Sequence, residues 1–229
     1  MPNDPSNGRP VFRIVLFLAF AILVFLALNT LYSFTNTLHQ LDVIELDRDQ
    51  WQRPTDVLRA LDLRDGNTVV DLGSGSGYFA LKLSPAVGKG GRVLAVDLRK
   101  LSLFFLWTRA LLGGERNVHV MVGAEDSPHL PAGSADAVLI CNTYHEFSHP
   151  DAILKDVYQS LHAGGRLVVV DRAPGPAETD HSHEVPLSVV ASNLRETGFE
   201  LIGQDDHFID RPVNGQDNDL WWLLIARKP

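Results

Sequence analysis

Two hundred and twenty-nine residues, 45% apolar and 21% charged, suffice for one domain with a buried core plus an appended segment, and they exclude wholesale disorder. The net charge of −8 leaves no surplus of lysine and arginine to displace counterions from phosphates, so nucleic acid is not expected as a partner. Cys141 is the single cysteine, which excludes an internal disulfide framework and a cysteine-cluster metal site.

Residues 1–11 form a short N-terminal tail. The run IVLFLAFAILVFLAL follows, and residues 14–34 hold no charge at all. As a helix this stretch spans about 30 Å, the thickness of a hydrocarbon core, with Tyr32 and Phe34 at the level of an interfacial aromatic belt. A cleaved signal peptide is the alternative, with Arg9 and Arg13 as its basic region. The length of the run and the absence of a small-x-small site behind it favour a transmembrane anchor over 12–34. Residues 35–50 read as a polar connector.

From residue 51 to the C-terminus the pattern is that of a globular domain. A short helix opens it, with Pro54 in the first turn and VLRALDL as its apolar stripe. TVVDL, RVLAVDL, VHVMV, DAVLICN and RLVVVD then read as buried parallel strands, separated by the helical stretches FALKLSPAV, LSLFFLWTRALL and AILKDVYQSLH. A Pro-rich loop leads to a helix near PLSVVASNLRETG. FELIGQDDHFI and DLWWLLIARK, joined by a turn between Pro212 and Asp219, suggest a terminal antiparallel pair. The order predicts an α/β fold with a doubly wound, seven-stranded Rossmann-like sheet behind a single transmembrane helix. One helix is unusual. Leu101 to Trp107, LSLFFLW, is too apolar for an amphipathic surface helix, so part of it is expected either in the core or against lipid or a partner.

The segment VVDLGSGSGYFALKL carries the most chemistry. A strand ends at Asp71 and Leu72, and Gly73, Gly75 and Gly77 let bare backbone turn against a ligand before a helix starts near Tyr78. A dinucleotide fingerprint wants glycine or alanine where Tyr78 stands, and Asp71 would sit badly beside a pyrophosphate. Its charge suits a cationic amino-acid moiety. Asp97 ends the second strand, where a carboxylate can accept from both hydroxyls of a ribose. Glu125 and Asp126 follow the third strand, within reach of an adenine amino group.

From about Asp47 to the C-terminus the chain resembles the class I S-adenosylmethionine-dependent methyltransferases. DLGSGSG looks like the family's first motif, VLAVD like its second acidic strand and GAED like its adenine-contact region. DAVLICNTYHEF and LHAGGRLVVVD are similar to its fourth and fifth strands. Within the family the chain looks closest to small bacterial enzymes that open with a Trp-Gln-x-Pro-like segment, here residues 51–54. The resemblance implies S-adenosyl-L-methionine as cofactor, with Gly73, Gly75 and Gly77 under it, Asp71 near the ammonium, Asp97 on the ribose, Glu125 or Asp126 at the adenine, and Asn142 also in contact. Loop capping for Asp71 and a strand-end turn for Asp97 are the structural alternatives.

Methyl transfer from a sulfonium needs alignment and desolvation, and a base only if the acceptor loses a proton. His145 stands after the fourth strand as that base, since an imidazole titrates near neutrality. Tyr144 could orient the acceptor or face the sulfonium with its ring. Loop packing is the alternative for both, and Glu146 is expected to cap the next turn. His181-Ser182-His183-Glu184 has poor spacing for a metal site. It is expected to start a helix over the acceptor pocket, with His183 a second candidate. No metal is expected. The acceptor is expected to be small or lipid-like and to lie near the membrane. Its reacting atom stays open among oxygen, nitrogen, sulfur and arsenic-type acceptors, a single cysteine speaking against a multi-thiol metalloid site. Oligomeric state is not legible. Arg9 and Arg13 alone would hold the N-terminus inside the cell. The intracellular supply of the donor argues instead for a domain facing the cytoplasm. A nicotinamide-dependent oxidoreductase and a non-catalytic binding module are the rival classes.

Overall fold

The computed structural model describes residues 8–175, 183–213 and 216–229. Contacts divide the chain into two units, residues 1–45 and 46–229. The first is part of a single helix, α1 (Gly8–Trp51), whose residues 12–32 present side chains such as Phe17, Leu23 and Phe25 outward. It is long and apolar enough to cross a membrane. Residues 35–50, expected as a polar connector, continue this helix. No glycine or proline interrupts the chain between Pro10 and Pro54, and Leu41, Val43, Ile44 and Leu46 continue an apolar content that a helix tolerates. The stop comes at Arg53, which takes a left-handed conformation (φ 51°) just before Pro54.

The second unit is the α/β domain. After α2 (Pro54–Leu61) come β1 (Thr68–Leu72), α3 (Tyr78–Val87), β2 (Arg92–Asp97), α4 (Lys100–Gly113), β3 (Val118–Val122) and β4 (Ala135–Cys141). A 3-10 turn at Tyr144–Glu146 leads to α5 (Pro150–Ser160), β5 (Leu161–Arg172), α6 (Leu187–Thr197), β6 (Glu200–Val213) and β7 (Gln216–Arg227). The seven strands lie in the order β3-β2-β1-β4-β5-β7-β6. The first five are parallel, and β7 runs antiparallel between β5 and β6. This is the doubly wound sheet the sequence predicts, with its terminal antiparallel pair. The helix expected to begin near His183 starts at Leu187, behind the rigid φ of Pro186. His181 and Ser182 lie outside the described residues.

Strand alternation sorts the core onto two faces. Val69 points toward α2 and α3 with Val57, Phe79 and Leu83, while Val70 points toward α5 and α6 with Leu154, Val157 and Leu194. The adjacent Trp221 and Trp222 of β7 divide the same way, each about 1% exposed. The strand order reverses between β1 and β4. In open parallel sheets the crevice outside the strand ends at that switch point is where ligands bind.

Candidate active site

The crevice is built from the glycine loop outward. β1 ends at Leu72, and the amides of Gly73 and Ser74 donate to the Val96 carbonyl of β2 at 2.8 and 3.0 Å. Gly73 (φ +82°) and Gly77 (φ +103°) have backbone conformations that side chains avoid, and a Cβ would collide with Thr143 at the first and Leu106 at the second. The loop amide of Gly75 donates to Asp97 Oδ2 at 2.8 Å, and the Arg99 amide donates to Asp97 Oδ1 at 2.8 Å. Asp97 therefore holds the loop as well as facing the crevice. Oδ1 also accepts from Arg99 Nε at 3.3 Å, and Oδ2, with one donor, keeps acceptor capacity for a further hydroxyl.

Two adjoining cavities occupy the switch point. One of about 190 Å³ is mainly apolar, with Leu72, Val96, Leu98 and Ile153 in its wall beside Asp97 and Glu125. The other, about 290 Å³, is polar and is lined by Arg48, Asp71, Gly75, Ser76 and Asn142 among others. Gly73, Arg99, Thr143 and Glu146 border both. A long ligand with an apolar ring at one end and charged groups at the other matches this division.

Asp71 closes the polar end. It is 2% exposed, the backbone amide of Ala80 donates to its carboxylate, and Oδ2 has no hydrogen-bond partner. Burial, with a contribution from the charge of Asp97, pushes its pKa up to about 7 from 3.8, although Ala80 and Arg48 act in the opposite direction. A buried carboxylate oxygen without a partner is costly, and an ammonium group supplies what it lacks. The donor set thus fits an amino-acid cation at Asp71 and a nucleoside in the apolar cavity.

Beside the polar cavity lies a network that no short sequence motif announces. Tyr78 donates its hydroxyl to Asp49 Oδ1 at 2.8 Å, Lys82 pairs with Asp49 at 2.8 Å, and the Arg48 guanidinium lies 3.8 Å from the Tyr78 ring centroid. Arg48 also donates through Nε to Gln52 Oε1 at 2.6 Å. The residue that breaks a dinucleotide fingerprint is here a structural anchor for the last turn of α1.

The loop after β4 separates its predicted residues. Asn142 is exposed, in the left-handed region (φ 55°), and lines the polar cavity. Glu125 lines the apolar cavity, whereas Asp126 is exposed outside that lining. Tyr144 turns away from both cavities. Its ring is 4% exposed in the core between α5, α6 and the sheet, and its hydroxyl accepts from Asn193 Nδ2 at 2.9 Å, so it lines neither cavity. The 3-10 turn rotates Tyr144 inward while Glu146 faces the crevice.

His145 has a partner that sequence reading passed over. Its Nδ1 is 2.8 Å from Asp171 Oδ1, its backbone amide donates to Asp171 Oδ2 at 3.2 Å, and Nε2 lies 3.9 Å from Glu146 Oε1. The His183 ring stands perpendicular to it at 5.5 Å. Burial acts to lower the imidazole pKa, but the hydrogen bond and charge of Asp171, with Glu146, outweigh it and the pKa is raised above 6.5. Asp171 is fully buried at the end of β5. The one signal for it is the acidic residue closing RLVVVD, next to last in β5 as Asp71 is next to last in β1. Glu184 accepts from the Gly175 amide at 2.9 Å.

Comparison with known proteins agrees with this geometry. Residues 23–179 match the ubiE/COQ5 methyltransferase family. The chain is 32% identical over 123 residues to a ubiquinone/menaquinone biosynthesis C-methyltransferase of Pseudomonas putida, covering 53% of this chain and 47% of that protein. It thus spans about half the length of that curated relative. The fold is similar to a SAM-dependent methyltransferase from Aquifex aeolicus (TM-score 0.64, 23% identity, 76% of this chain and 88% of that one). It is also similar to Haemonchus contortus phosphoethanolamine N-methyltransferase 2 in complex with S-adenosyl-L-methionine (TM-score 0.66, 17% identity, 78% and 53%). With a crevice suited to a sulfonium nucleoside rather than a dinucleotide, the chain belongs to the ubiE/COQ5 methyltransferase family, whose cofactor is S-adenosylmethionine.

Proposed function

We propose that this protein moves a methyl group from S-adenosylmethionine to a ring carbon of a lipophilic, quinone-related acceptor, at a membrane in which residues 12–34 anchor it with the domain on the cytoplasmic side. The observation that carries donor binding is Asp71: a buried carboxylate oxygen without a partner, in the polar one of two adjoining cavities. Carbon as the acceptor atom rests on the Pseudomonas putida relative, whose name specifies a C-methyltransferase. A lipophilic acceptor is in keeping with the apolar helix.

The residues divide the work in this reading. Asp71 takes the ammonium, the loop of Gly73, Gly75 and Gly77 lies under the donor, and Asn142 borders its charged end. Asp97 accepts from the ribose, and Glu125 stands at the adenine end. When bound, S-adenosylmethionine supplies a methyl on a sulfonium that departs without protonation. His145 takes the proton that the attacked acceptor gives up. Asp171 holds its Nδ1–H, so the lone pair stands on Nε2, toward Glu146. Tyr144 supports the loop from the core.

The full chain in lipid nanodiscs, incubated with methyl-labelled donor and a cellular lipid extract, tests the reading. Label is expected in the quinone-containing lipid fraction, and Asp71→Asn should strongly reduce it at limiting donor concentration. Label confined to water-soluble products would overturn the lipophilic acceptor. Protease access to the domain in sealed cells tests the orientation, with protection expected.

A further inference from the structure

Helix α4 is apolar on two sides. Leu103, Leu106 and Ala110 are buried against the sheet, at most 4% exposed. Leu101 (68%), Trp107 (49%), Leu111 (63%) and Leu112 (72%) point outward, together with Phe104. At 100° per residue these five fall within an arc of about 140°, the face on which a water-exposed helix should be polar. Leu98, 51% exposed in the wall of the apolar cavity, continues the ridge toward the crevice.

The charges around the ridge have the opposite sign from the rest of the chain. Between Leu98 and Arg116 stand Arg99, Lys100, Arg109 and Arg116 against the single acid Glu115, in a protein of net charge −8. Arg99 pairs with Asp97 and Arg109 donates to the Ser76 carbonyl, while Lys100 and Arg116 are exposed at the two ends of the helix. Leucine and tryptophan along one face with basic residues at the ends suit the headgroup region of an anionic bilayer, where the rings and alkyl groups enter and the cations stay with phosphates. A neutral protein partner would need no such flank.

We propose that the outer face of α4 is a membrane-docking surface that lies in the interface of an anionic lipid bilayer. It rests on the reading of the chain as membrane-anchored, and it adds a second lipid contact, in the catalytic domain itself. The domain is then held against the bilayer rather than tumbling on its tether, with the ridge at Leu98 beside the lipid. That arrangement shortens the path of a lipophilic acceptor to the crevice.

Nitroxide labels in the full chain test this in nanodiscs of phosphatidylcholine with one-fifth phosphatidylglycerol. Labels are placed at Leu101→Cys and Leu111→Cys on α4, at Leu23→Cys in the apolar run, and at Glu196→Cys on α6, on the other face of the sheet. Cys141 is buried, and burial raises its thiol pKa, so it competes poorly for label. The expected result is a several-fold higher ratio of oxygen to nickel-complex accessibility at Leu101→Cys and Leu111→Cys than at Glu196→Cys, and a loss of that difference in purely zwitterionic discs at high salt. Water-like values on α4 with a lipid-like value at Leu23→Cys would overturn the docking surface and leave the anchor standing. Labels on α4 shielded from both reagents would also overturn it, because protein would then cover the face. A water-like value at Leu23→Cys would instead count against the anchor.

Discussion

Two buried aspartates close neighbouring parallel strands on either side of β4, and they differ in what they lack. Asp71 on β1 keeps an oxygen with no partner, and burial pushes its pKa up to about 7. Asp171 on β5 is as deeply buried, yet both its oxygens are engaged, by the imidazole and amide of His145 and by the amide of Arg172 at 2.8 Å. The first is a half-built site, which in the proposed reading the ammonium of the donor completes. The second is a finished one whose product is an oriented histidine. In the proposed reading the first serves the donor and the second the proton that the acceptor gives up.

The comparison breaks most visibly at the second aspartate. If His145 is the base, His145→Asn should lower methyl transfer by roughly 100- to 10,000-fold with donor affinity retained, measured with labelled donor under single-turnover conditions. Asp171→Asn should remove the partner that outweighs burial, so that the His145 proton resonance titrates at lower pH than in the natural protein. An unchanged titration would detach the pair.

At the first aspartate the effect is on stability. With a folded pKa of about 7 against 3.8 unfolded, the folded carboxyl holds its proton where the unfolded one has lost it. Stability is therefore lost as pH rises from about 4 to 7, a burial cost of roughly 4 kcal/mol that is complete above the folded pKa. Denaturation of the ligand-free protein across that range should show the fall, and Asp71→Asn should flatten it.

Smaller effects sharpen the frame around the two sites. Gly77→Ala combines a positive φ with a collision at Leu106 and should cost about 1–3 kcal/mol in chemical denaturation. Tyr144→Phe loses only the hydrogen bond from Asn193 and should cost about 1 kcal/mol while leaving donor affinity as it was. A large loss of donor affinity there would return Tyr144 to the crevice.

Much of the first site is written locally in the chain. Strand, glycine turn and helix follow one another within VVDLGSGSGYFALKL, and Asp97 ends the next strand, so periodicity and turn chemistry suffice to find both carboxylates. The second site is assembled from residues 26 positions apart on β5 and the β4 loop, and an acid at a strand end looks the same whether it faces water, a ribose or a histidine. Tyr144 and His145 are neighbours in sequence, and only the 3-10 turn decides that one goes to the core and the other to Asp171. The Arg48, Asp49, Tyr78 and Lys82 cluster was hidden for a related reason: the region read as a polar connector continues as helix, and its charges meet α3 only in three dimensions.

Calorimetric titration of S-adenosylmethionine into Asp71→Asn and Asp171→Asn tests the central claim most directly. The account predicts about 100-fold weaker binding for Asp71→Asn, as expected when a buried charge loses its counterpart, and near-natural affinity for Asp171→Asn. Natural protein should also release a proton on binding near pH 6.5, and Asp71→Asn should not. Equal affinities for the two variants, or tight binding by Asp71→Asn, would contradict it.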